Sequence, residues 1–167
     1  TCYGRVGGVV RYAPVDWLCD VKKFCEEFPD RVDEYEHLLT RNRIWVDRNQ
    51  GVGVISKEDA LGYGMTGPIL RASGVEYDIR KEEPYCGYEN YEFDVPVGKH
   101  GDCYDRYLCR VEEMRQSAKI ILQAIEGLPE GPVLLDDYKS SIPEKQSVLT
   151  GMEQLIHQFL VITEGPQ

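Results

Sequence analysis

Histidines, cysteines and two dense groups of arginines and carboxylates are the residues of this chain with chemistry to offer. His37, His100 and His157 stand far apart, and single histidines in separate segments suit surface or helix-packing roles better than one metal site. The six cysteines, Cys2, Cys19, Cys25, Cys86, Cys103 and Cys109, include no CxxC pair, so zinc and iron–sulfur signatures are absent. Cys19 and Cys25, like Cys103 and Cys109, fall six residues apart within one predicted helix, on different faces, where no bridge can close. Reduced cysteines used as small core residues are expected. No spacing promotes a Cys–His nucleophilic pair. Gly62, Gly64 and Gly67 follow a short helix rather than a strand, with no GK[ST] beside them, and therefore read as turn glycines, not a phosphate cradle.

The charged groups are more informative. The run LRASGVEYDIRKEEPY, residues 70–85, gathers Arg71, Asp78, Arg80 and Lys81 among small and aromatic residues. Guanidinium forks hold several partners at once, so Arg71 and Arg80 are expected to pair with acids and fix an irregular loop. Asp102, Asp105, Arg106, Arg110, Glu112 and Glu113 crowd the start of a predicted helix. Their spacing allows either a ladder of surface ion pairs or a buried network between helices.

Helices must position these groups. Trp17, Leu18, Val21, Phe24, Cys25 and Phe28 recur at helical spacing; Pro29 is expected to break or kink the pattern before a second stretch with Val32, Tyr35, Leu38 and Leu39 on one face. Ser56 and Asp59 form a capping box for a short helix that Gly64 stops. Residues 65–99, rich in Gly, Pro and Tyr, read as ordered loop with strand-like pieces at 91–95. Asp102 caps the strongest helix, whose apolar positions run from Tyr104 to Ile125 and which Gly127 and Pro129 end. At about 1.5 Å per residue it spans nearly 40 Å. Residues 132–147 read as a polar connection, and Thr150 with Glu153 as a capping box for a last amphipathic helix.

The chain of 167 residues carries 29 acids against 19 bases, a formal charge of −10, which excludes nucleic-acid binding through a basic face. Residues 126–167 alone hold 7 acids and 2 bases, so the acidity lies toward the C-terminal half. No apolar run reaches the roughly 20 residues that cross a bilayer. The chain opens without methionine and closes on EGPQ, which reads as a piece of a longer protein.

Four runs carry a resemblance: NRIWVDRNQGVGVIS (42–56), TGPILRASGVEYDIRKEEPY (66–85), FDVPVGKHGDCYDRYLCRVEEMRQS (93–117) and MEQLIHQF (152–159). Together they closely resemble the D subunit family of NADH:quinone oxidoreductase, the respiratory complex I component related to the large subunit of nickel–iron hydrogenases. The resemblance implies a mainly α fold, the helical-bundle core of the hydrogenase large-subunit-like family with a long ordered loop and few strands. It also implies one partial domain over residues 1–167, from the middle of the subunit. The implied activity is passage of electrons from NADH to quinone through FMN and iron–sulfur clusters that other subunits carry. The implied partners are the B subunit with the terminal cluster and the C subunit, and membrane contact runs through partners. The implied location is the cytoplasmic face of the bacterial inner membrane, or the matrix face in a mitochondrion. The family's proton donors to quinone fall outside the chain. Tyr3 and Arg5, in a segment like the family's YxRxGGV, are the candidates here for facing cluster or quinone. Arg71, Asp78, Arg80, Lys81, Asp102, Asp105, Arg106, Arg110 and Glu113 are implied to be structural. Two alternatives stay open: the large subunit of a related membrane-bound hydrogenase, and a helical assembly module without a redox role.

Overall fold

The computed structural model describes residues 4–5, 7–9, 11–137 and 140–165, Arg5 through its backbone alone. Helix dominates them, as the periodicity predicts. They cluster into two compact units, Leu18–Leu128 and the combination of Thr1–Trp17 with Pro129–Gln167.

In the larger unit the first surprise is Pro29. Helix α1 runs unbroken over Val15–Leu39 with this proline inside, where a break or kink was expected. Proline removes one backbone bond and crowds the preceding turn, a penalty of about 3 kcal/mol. Cys25 and Val32, seven residues apart and both buried, hold one face of the helix down on either side of Pro29. The expected apolar stripe is largely outside, since Phe24, Tyr35 and Leu38 are exposed.

Helix α2, Arg43–Asn49, starts because the Asn42 side chain accepts the Ile44 N–H and nucleates a new turn. Helix α3, Lys57–Gly62, has the expected cap: Ser56 Oγ accepts from Asp59 N at 3.0 Å and donates to the Asp59 carboxylate at 2.9 Å. Gly64, at φ +65, follows as the stop.

Residues 65–99 are more regular than their composition implies. They contain helix α4, Gly67–Ala72, helix α5, Ile79–Glu82, and a 3-10 turn at Tyr88–Asn90. The extended piece at 91–95 pairs with no strand among the described residues. Its backbone polar groups go to side chains of the long helix α6, Cys103–Glu126: Gln123 accepts from Glu92 N and donates to Glu92 O, and Gln116 accepts from Asp94 N.

Helix α6 is the axis of this unit. Helices α2 and α4 pack against it. Helix α1 runs antiparallel to it, as its ties show: Lys22 meets Glu126 at one end, and Arg115 meets Asp33 and Glu36 in the middle. At the other end, just past α1, Thr40 accepts a hydrogen bond from Tyr104 at its carbonyl and shares one with Tyr107 at its hydroxyl.

The smaller unit holds strands β1, Gly4–Arg5, and β2, Gly8–Val9, paired antiparallel. Residues 133–135 lie along this hairpin through Val9 N to Val133 O and Leu135 N to Gly7 O. A Cβ on Gly8, at φ +143, would stand 2.3 Å from Val133 O, so only glycine allows this approach. Helices α7, Lys145–Thr150, and α8, Met152–Glu164, complete the unit. The expected Thr150–Glu153 capping box is not formed. Thr150 ends α7 with its hydroxyl on Gln146 O, and Gly151 takes the cap position of α8. No helix of the described residues is long and apolar enough to cross a membrane.

Candidate functional site

The charged run of residues 70–85 folds back onto α6 because α4 ends in an arginine that has nowhere to go but inward. Pro68 suits the first turn of α4, and Leu70, Arg71 and Ala72 are all buried at its end. Arg71 Nε donates to Glu113 Oε1 at 2.9 Å, its Nη2 contacts the same oxygen, and its Nη1 donates to Tyr77 O at 3.0 Å. The Asp78 carboxylate stands 3.7 Å from the guanidinium. Only 7% of Arg71 is exposed, so this charge depends on its partners rather than on water.

Asp78 does three things at once. It caps α5 by accepting Arg80 N at 3.0 Å, and it takes both Nε and Nη2 of Arg80, at 2.9 and 2.6 Å. Hydrogen bonding from Arg80 outweighs burial and holds its carboxyl below the usual carboxylate range. Reciprocally, Asp78 pushes the Arg80 guanidinium further toward its charged form. The Arg80 guanidinium then lies 4.6 Å above the Phe93 ring, with Lys81 Nζ 5.1 Å from the same ring. Lys81 joins the network through this ring. A cavity of about 510 Å³ opens over the group, walled by Thr66, Arg71, Asp78, Arg80, Tyr85 and Glu113.

A second node forms where α6 begins. Asp102 Oδ1 accepts Asp105 N at 2.7 Å as the expected cap, while Oδ2 accepts Gly51 N at 2.8 Å. Asp105 Oδ2 accepts Lys99 N at 2.7 Å and His100 N at 2.6 Å, with His100 Nδ1 at 3.3 Å. Burial alone would raise the Asp105 carboxyl, but the His100 and Lys99 N–H groups together hold it below its ordinary value. Arg106 is spent on backbone: Nη1 donates to Gly101 O at 2.9 Å and Nη2 to Gly53 O at 2.8 Å, with Cys103 Sγ at 3.1 Å. Arg110 is exposed and donates to Arg106 O at 3.1 Å.

The structure therefore brings Arg71, Asp78, Arg80, Lys81 and Glu113 into one network; of the α6 charges for which the spacing allowed a surface ladder or a buried network, Glu113 enters it. Asp102, Asp105 and Arg106 form a separate loop-fixing node, and Arg110 joins neither by an ion pair among the described residues. Tyr3 and the Arg5 side chain lie outside the described residues. Sequence reasoning missed Arg115, whose Nη2 reaches both Asp33 and Glu36 at 2.6 Å and whose Nη1 reaches Glu112 at 3.3 Å. Hydrogen bonding to Glu36, then to Asp33, pushes its pKa upward. Only Glu112, three residues before it, was readable as a partner from spacing. The described residues contain no group of three or more His, Cys, Asp or Glu placed to hold a metal ion. Cys25 and Cys109 are buried, and burial pushes both thiols up, which suits core packing rather than nucleophilic use.

The two nodes tie the 65–99 segment and the 51–55 connection to α6. Comparison with known proteins supplies the context. The family model for the 49 kDa subunit of respiratory-chain NADH dehydrogenase matches residues 1–167. The D subunit of NADH-quinone oxidoreductase from Akkermansia muciniphila is 57% identical over 163 residues, covering 98% of this chain and 39% of that protein. The corresponding D subunit from Methylacidiphilum infernorum is 53% identical over 165 residues, covering 99% of this chain and 40% of that protein. The mitochondrial NADH-ubiquinone oxidoreductase 49 kDa subunit of Neurospora crassa is 53% identical over 163 residues, covering 98% and 34% respectively. The chain thus spans about two fifths of the length of the bacterial relatives.

Proposed function

The chain belongs to the 49 kDa subunit family of respiratory-chain NADH dehydrogenase, and from that membership we propose that it is the central part of a quinone-cavity wall in a proton-translocating NADH:quinone oxidoreductase. The match of the family model along residues 1–167 is the observation that carries this reading. In it the complex takes electrons from NADH through FMN and iron–sulfur clusters to quinone. The B subunit holds the terminal cluster and the C subunit lies alongside. The subunit keeps the hydrogenase large-subunit-like bundle and sits peripherally, on the cytoplasmic face of a bacterial inner membrane or the matrix face in a mitochondrion.

The work of the described residues is to hold the wall rigid. Quinone reduction consumes two electrons and two protons, so the headgroup must rest at a fixed distance from the electron donor and from proton-donating groups. The Arg71–Glu113 pair and the Asp102–Gly51 bond support this role, since the first anchors α4 and the second the turn at Gly51 to the long axis of α6. Tyr3 and Arg5 are the candidates for facing the cluster or quinone.

Two measurements on the tagged complete subunit in its host test the reading. It should co-purify with a protein bearing iron–sulfur clusters that are visible by electron paramagnetic resonance; purification alone would sink the proposal. Arg5→Ala should lower NADH-driven quinone reduction while complex content on native gels is kept. Unchanged quinone reduction would remove Arg5 from the site, and Arg71→Ala that abolishes activity in fully assembled complex would reject a pure assembly role for Arg71.

A further inference from the structure

We draw no further inference here: the strongest candidate, the exposed apolar stripe that Met152, Ile156, Phe159 and Ile162 form along α8, carries none because nothing in the structure shows what covers it.

Discussion

Arg71 and Glu113 are 42 residues apart in sequence and share two hydrogen bonds in the structure, so the last turn of α4 and the middle of α6 are joined by one nearly buried ion pair. Removing one member leaves a largely buried charge without its main partner, a loss of up to about 3–5 kcal/mol, the larger for Arg71→Ala because Arg71 keeps Asp78 when Glu113 is removed. Urea unfolding of the complete subunit should therefore place Arg71→Ala and Glu113→Ala far below the parent. The Arg71→Met, Glu113→Leu double variant should lose much less than the sum of its singles. Additive losses would mean the two groups do not act as a pair.

The carboxyl of Asp105 is held below its ordinary value in the folded state. A depressed folded pKa gives stability that is present above the unfolded value and is lost as pH falls through the folded one. The parent should thus lose stability progressively below about pH 4, the ordinary carboxylate value. Asp78 contributes in the same direction. Asp105→Asn should be less stable at pH 7 and flatter in acid. Parallel acid titrations of parent and variant, followed by circular dichroism, would contradict this.

Asp102 serves both the N-cap of α6 and the Gly51 turn. Asp102→Ala should destabilise by at least the cap value, about 1–2 kcal/mol. Hydrogen exchange should also rise at Gly51 and Asp105 together. Faster exchange at Asp105 alone would mean that the turn holds without the side chain.

Gly101 sits at φ +66 with its Cβ position 2.2 Å from Ile55 O. Both conformation and space refuse a side chain there. Gly101→Ala should lower the melting temperature more than Gly51→Ala, because Gly51, at φ +71, has open space around it. The reverse order would show that backbone strain without collision sets the penalty.

Local chemistry made much of the fold readable. The caps at Ser56 and Asp102 use side chains three residues from their targets, and Gly127 ends α6 within its own turn, so neighbouring residues suffice to recognise them. Pro29 and the 65–99 segment misled for one shared reason. Propensity reports what a residue favours in isolation, while α1 is held across its proline by buried Cys25 and Val32, and the 91–95 backbone is satisfied by Gln116 and Gln123 from a distant helix. The site divided in the same way. Arg71 and Asp78 stood out by type, but Glu113 as their partner and Arg115 as the tie to α1 needed the helices in place.

By itself the sequence determined helical class, the caps at Ser56 and Asp102, the acidic balance and the family likeness, because each depends on residues within a few positions or on composition. Tertiary structure alone decided which charges meet. The spacing of Arg106 and Arg110 resembles a surface ladder as much as a network, yet Arg106 turns to the Gly53 and Gly101 carbonyls and Arg110 to the Arg106 carbonyl, while Arg71 crosses 42 residues to Glu113. The physical reason is desolvation. A buried charge must find a partner wherever the packed helices bring one, and that location is a property of the packing rather than of the distance along the chain.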